Sequence, residues 1–137
     1  MILTKTSQYA VRVLTYMIQS DLRVFSAHHL IKALSIPDKY LRQLLTTLSK
    51  AGFIKSIRGR EGGYVLARNP DKIRLSDIIE VIDGMERYER CLLGFPSCSD
   101  DNPCSLHRKW APLREQMLHF LRETTLDEIR QNDITKF

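Results

Sequence analysis

The chain has 137 residues, of which 43% are hydrophobic and 27% charged, enough for one cored domain or a small domain with an appendage. Its net charge of +5 is unevenly spread: residues 1–74 carry 13 Lys/Arg against 4 Asp/Glu, and residues 75–137 carry 8 against 12. No apolar run approaches a membrane span and the first residues lack a signal-peptide core, so a cytoplasmic protein without a membrane partner is expected, and its three cysteines are not expected to form structural disulfides.

The first helix is expected over residues 7–20, where Tyr9, Ala10, Val13, Leu14, Met17 and Ile18 recur on one helical face, with Thr6 or Ser7 as the cap. Ser26 reads as the N-cap of a short second helix whose Leu30, Ile31 and Leu34 face inward. Residues 35–38 form a tight turn in which Ile36 plugs the gap between helices and Pro37 ends the helical run. The third helix follows over residues 38–51. Leu41, Leu44, Leu45 and Leu48 are its buried stripe, and Lys39, Tyr40, Arg42, Gln43, Thr46, Thr47 and Lys50 its open face. Basic, hydroxyl and amide groups on one face are suited to phosphates and base edges, so the pair reads as a helix-turn-helix. Gly52 is placed to end it.

Phe53-Ile54-Lys55-Ser56-Ile57 alternates like a strand, Arg58-Gly59-Arg60-Glu61-Gly62-Gly63 is a glycine-rich turn, and Tyr64-Val65-Leu66-Ala67 is the returning strand. A hairpin directly after a recognition helix is a wing, with Arg58 and Arg60 aimed at DNA and its glycines allowing close approach to a groove. The basic first half agrees with a polyanionic partner. Asn69-Pro70-Asp71 breaks the chain, and a fourth helix is expected from Ser76, as cap, to Asp83-Gly84, with Ile78, Ile79, Val81 and Ile82 apolar.

All three cysteines fall in one polar loop, Cys91-Leu-Leu-Gly-Phe-Pro-Ser-Cys98-Ser-Asp-Asp-Asn-Pro-Cys104-Ser-Leu-His107. Buried structural thiols would be scattered over apolar faces instead. Three thiolates and an imidazole suit an iron–sulfur cluster, zinc or copper(I), and a thiol redox switch is the rival reading. Beyond the loop, Leu106, Trp110, Leu113, Met117, Phe120 and Thr124 alternate four and three apart, a coiled-coil type of seam that packs on its own domain or on a second copy. Pro112 requires the regular helix to start near Ala111 or to kink, which leaves His107 in the loop. Thr125 caps a short terminal helix, and residues 132–137 form a frayed tail.

Leu3-Thr4 with Tyr9-Ala10, the Tyr40-Leu41-Arg42-Gln43-Leu44 helix, the Arg58–Tyr64 wing and the three-cysteine loop together resemble the IscR-type winged-helix transcriptional regulators, over nearly the whole chain. The resemblance implies a mostly α fold with a small β-hairpin wing. Residues 1–84 are the winged helix-turn-helix DNA-binding domain, 85–107 the cluster loop, and 108–137 the dimerisation helix and short terminal helix. It implies a homodimer on double-stranded DNA with a palindromic operator, acting as a repressor under control of an iron–sulfur cluster that senses iron, redox or nitric oxide status. By position, Cys91, Cys98, Cys104 and His107 are the implied ligands, with a two-iron, two-sulfur cluster preferred over a four-iron, four-sulfur one. The implied DNA contacts are Lys39, Tyr40, Arg42, Gln43, Arg58, Gly59, Arg60 and Gly62. Departures exist. Six residues separate Cys91 from Cys98, one more than in IscR-like members. Gln8 stands where NsrR-like members place an acidic fourth ligand, which favours His107. IscR-like members carry an acidic residue in place of Arg42, so their target sequence does not transfer. No nucleophile–base pair, carboxylate pair or phosphate loop is legible, which argues against an enzyme.

Overall fold

The computed structural model describes residues 3–130; the expected frayed tail lies outside them. The architecture is mostly helical with one two-stranded antiparallel sheet. Helix α1 (Lys5–Gln19) starts two residues earlier than its apolar periodicity implies. Its cap is Thr4, whose side-chain oxygen accepts the Ser7 N–H at 3.2 Å. Helix α2 (Ala27–Leu34) is capped as expected by Ser26, which accepts the His29 N–H at 3.0 Å. It ends at Ser35 in the left-handed conformation (φ 53°), the one non-glycine residue of that kind among the described residues, and this reversal drops Ile36 into the core at 1% exposure.

Helix α3 (Asp38–Lys50) buries Leu41, Leu44, Leu45 and Leu48 and leaves Lys39, Tyr40, Arg42 and Gln43 outside, as its pattern requires. Strands β1 (Ile54–Ile57) and β2 (Gly63–Leu66) pair in the register Ile54↔Leu66 to Ile57↔Gly63. The segment before α2 joins them. Phe25 and Tyr64 exchange N–H···O bonds of 2.9 and 2.8 Å, which fixes the base of the hairpin to the helix-turn-helix. After a 3-10 turn (Pro70–Lys72) comes helix α4 (Leu75–Ile82). Ser76 is not its cap: it is buried inside the first turn, and Asp77 closes the helix start by accepting the Arg74 N–H at 2.9 Å.

A second 3-10 turn (Met85–Tyr88) leads to the cysteine loop, then to α5 (His107–Glu123) and α6 (Leu126–Arg130). Helix α5 runs through Pro112, which lies on an exposed side and has no N–H to give the Arg108 carbonyl. His107 is therefore the first residue of this helix and not a residue of the loop before it. The inward face of α5 is offset from the apolar seam: His107, Arg114, Leu118 and Leu121 are buried, whereas Leu113 and Phe120 are 59% and 56% exposed. Leu118, Leu121 and Leu126 join one continuous core with Val13 and Leu14 of α1, Leu45 of α3 and Ile78 and Ile79 of α4. Backbone bonds close this return, from the Leu75 N–H to the Thr124 carbonyl (3.0 Å) and from the Leu126 N–H to the Ile73 carbonyl (2.9 Å). Within α6's start, Thr125 and Glu128 cap each other's backbone N–H groups.

Candidate metal loop and nucleic-acid face

The loop is held at both ends. At its entrance, Arg114 of α5 donates to the Glu89 carbonyl (3.4 Å), Arg122 pairs with the Glu89 carboxylate, and the Trp110 indole N–H reaches the Arg90 carbonyl (3.5 Å). At its exit, the His107 N–H bonds the Cys104 carbonyl (3.1 Å) as α5 begins. The turn after Cys91 is closed by the Gly94 N–H on the Cys91 carbonyl (3.0 Å), with Gly94 at φ 81°, a conformation that glycine adopts without strain.

The four expected ligands come together as two pairs. Cys91 Sγ lies 3.6 Å from Cys104 Sγ, and Cys98 Sγ lies 3.3 Å from His107 Nδ1. Two donors on one tetrahedral metal, with bonds of ~2.0–2.3 Å, stand roughly 3.5–3.8 Å apart. Each pair is therefore close to the spacing that one metal centre needs. Among the described residues no three His, Cys, Asp or Glu side chains converge on one ion position. The four donors thus form two close pairs, each of two side chains. The donor chemistry fits as well: soft thiolates with one imidazole suit iron–sulfur ligation.

The surroundings of Cys91 shift the pKa of its thiol. Its burial, the largest single effect, raises the pKa, but the backbone N–H groups of Leu93 and Phe95, the Cys104 thiol and the Gly94 N–H together outweigh it and hold the pKa below the ordinary thiol value. Cys91 is buried, and Cys98 and Cys104 are half-buried. His107 is 5% exposed, and its other ring nitrogen, Nε2, lies 2.8 Å from Asp100 Oδ1. Sequence reasoning passed over Asp100 as part of a polar run. It also missed the amides around Cys91. Neither has a sequence signal, because both depend on how the loop closes.

On the nucleic-acid face, Lys39, Arg42 and Gln43 are exposed on α3, and Arg58, Gly59 and Arg60 at the wing tip. Arg42 is held by an ion pair with Asp38 one turn earlier, with more than half of both side chains in solvent. Tyr40 is tied inward: its hydroxyl bonds Thr6 of α1, and its ring meets Tyr9 edge-on at 5.3 Å. Gly62 is half-buried and required by the hairpin itself, since a Cβ there would lie 2.0 Å from the Ile57 carbonyl oxygen. A further contact was not legible in the sequence. Asp83, at the end of α4, accepts from the Thr4 hydroxyl (2.6 Å) and the Ser7 hydroxyl (2.7 Å) at the start of α1. Tyr88 packs beside it, its pKa raised by burial and by the Asp83 charge. A chain of contacts thus leads from the segment preceding the cysteine loop, through the N-terminus of α1, to Tyr40 on α3.

No helix among the described residues is long and apolar enough to cross a membrane. The model of the Rrf2 family, described as iron-dependent transcriptional regulators, matches residues 3–132. An HTH-type transcriptional regulator of Aquifex aeolicus is 37% identical over 131 residues, covering 94% of this chain and 91% of that protein. The HTH-type transcriptional regulator IscR of Pectobacterium atrosepticum is 37% identical over 93 residues, 68% of this chain but only 56% of that protein. Among solved structures, CymR, the global cysteine regulator of B. subtilis, superposes with a TM-score of 0.75 at 26% identity, covering 97% of this chain and 99% of that one. IscR of T. potens shares the fold, with a TM-score of 0.71 at 24% identity over 98% of this chain and 94% of that one.

Proposed function

This chain belongs to the Rrf2 family of transcriptional regulators, DNA-binding proteins rather than enzymes; from that premise we propose that it is a homodimeric repressor whose hold on a palindromic operator is governed by an iron–sulfur cluster on Cys91, Cys98, Cys104 and His107. The observation that carries this reading is the arrangement of those four donors in two pairs at 3.6 and 3.3 Å, three from the loop and one from the first residue of α5. In this reading each pair holds one metal centre of a two-iron, two-sulfur group, and zinc is the rival occupant of the same donors. When bound, the cluster supplies a charge and redox state that respond to iron, oxidant or nitric oxide.

The protein's own residues do the rest. Hydrogen bonds from the Leu93, Phe95 and Gly94 N–H groups act against burial and lower the pKa of the Cys91 thiol. Glu89 and Arg90, pinned to Arg114, Arg122 and Trp110, make the loop entrance and α5 move together. Asp83 grips the start of α1, and Thr6 of α1 grips Tyr40. Residues 1–84 then act as the DNA-binding part, with Lys39, Tyr40, Arg42, Gln43, Arg58, Gly59, Arg60 and Gly62 as its DNA-facing set. Residues 85–107 act as the sensor loop, and residues 108–137 provide the dimer contact through the exposed seam of α5. A shift in the loop changes how the two wings of a dimer are set apart. DNA affinity changes only as far as the two loop states differ in their contacts.

Anaerobic reconstitution tests the reading. It predicts visible iron-to-thiolate absorbance, matched iron and sulfide, and loss of both in Cys98→Ala. Protein that takes up zinc alone, or a Cys98→Ala variant that loads like the parent, contradicts it. A second reading has one observation in its favour. The 3.6 Å approach of Cys91 and Cys104 is a short movement from a disulfide, so peroxide could oxidise the two thiols as a cluster-free switch. That protein would bind DNA equally with and without iron and lose binding with peroxide.

A further inference from the structure

A histidine that ligates a metal uses one ring nitrogen, and which one is set by what the other nitrogen meets. In His107 the two nitrogens have different neighbours. Nδ1 faces Cys98 Sγ at 3.3 Å, and Nε2 meets Asp100 Oδ1 at 2.8 Å. An ionised carboxylate has no hydrogen to give, so the hydrogen of that contact belongs to Nε2. The neutral ring then has its lone pair on Nδ1, on the side of Cys98. The ring is nearly enclosed, with 6% of the side chain exposed, so it does not turn over freely to exchange its nitrogens.

We infer that Asp100 is the positioning residue of the cluster site: it accepts the Nε2–H of His107 and so presents Nδ1 as the ligand atom beside Cys98. The inference rests on the cluster reading above and adds the ligand atom and its partner. Asp100 itself is 99% exposed, and exposed ion pairs contribute little to folding. Its role is therefore separable from stability, and variants at this position are expected to fold. A carboxylate behind an imidazole also makes the ring a better electron donor, which stabilises the oxidised form of the metal it binds.

The test uses full-length protein reconstituted with iron and sulfide without oxygen, carrying histidine labelled with nitrogen-15 at Nδ1 or at Nε2. The inference predicts that the strong nitrogen hyperfine coupling of the reduced cluster follows the Nδ1 label. Asp100→Ala is expected to load the same iron and sulfide but to lose them to a chelator roughly tenfold faster. Its reduction potential should rise by about a tenfold change in the one-electron equilibrium, ~59 mV. Asp100→Asn, which keeps an acceptor oxygen but no charge, should fall between, and Asp100→Glu should restore the parent values. Strong coupling on Nε2, no nitrogen coupling, or an Asp100→Ala protein with the parent potential and chelation rate overturns the inference while leaving cluster binding standing. A parent protein that takes up no iron and sulfide overturns both.

Discussion

Arg58 and Lys39 differ in what they can reach, although both are exposed cations. Arg58 stands at the wing tip and Lys39 on the outer face of α3; in the proposed DNA complex the first enters a groove and the second meets phosphates. Arg58→Ala is expected to cost about 1–3 kcal/mol of operator binding at physiological salt, whereas Lys39→Ala lowers the slope of log affinity against log salt by about 1. Salt-series binding measurements separate them, and an unchanged affinity for Arg58→Ala would contradict the wing assignment. Gly62 has a requirement inside the hairpin besides its proposed place in the DNA-facing set: its missing Cβ makes room for the Ile57 carbonyl. Gly62→Ala should therefore destabilise the protein by roughly 1–3 kcal/mol in urea melts, even with no DNA present. A neutral effect on stability would contradict the hairpin requirement.

At the level of elements, α1 to α4 and the hairpin were legible because each carries a periodic stripe bounded by turn residues. The errors fell at ends, where capping depends on a side chain's reach. Thr4 and Asp77 cap α1 and α4, and Ser76 is drawn inward instead. Phe25's bridge to Tyr64 was hidden because a single extended residue has no period. Asp83 was hidden because its partners lie far off in sequence. It holds two hydroxyls at the start of α1, so Asp83→Ala is expected to lower stability by about 2 kcal/mol in denaturant titration, and a change near zero would show that water replaces the contact. In α5 the apolar seam was legible, but not which neighbour it meets. The chain packs Leu118 and Leu121 on itself and leaves Leu113 and Phe120 outside. In the proposed dimer these two exposed side chains are the subunit contact. Phe120→Glu with Leu113→Glu is expected to turn a dimer into a monomer in analytical ultracentrifugation and to abolish tight operator binding. A variant that stays dimeric would place the subunit contact elsewhere.

Among the described residues, one core runs from the helix-turn-helix to α5 and α6, so the elements before and after the cysteine loop share it. The loop's entrance is anchored to α5 through Glu89, just beyond the Asp83 contact with the helix that braces Tyr40, and its exit is closed by the His107 N–H on the Cys104 carbonyl as α5 begins. Which candidate donors the segment carries, three thiols and an imidazole, is legible from sequence whatever the fold. Their division into two pairs, and Asp100 behind His107, follow only from the way the loop closes onto α5. In the proposed function, this continuity is the route by which a local change at the thiols alters DNA binding. Coupling of this kind is worth about fivefold to 150-fold in affinity. The direct measurement is operator affinity of the anaerobically loaded protein and the same protein stripped of iron, at one salt concentration, beside Cys98→Ala. The account predicts at least a fivefold difference between loaded and stripped protein, with Cys98→Ala matching the stripped form under both treatments. Equal affinities for the loaded and stripped protein, at confirmed iron and sulfide content, would contradict it.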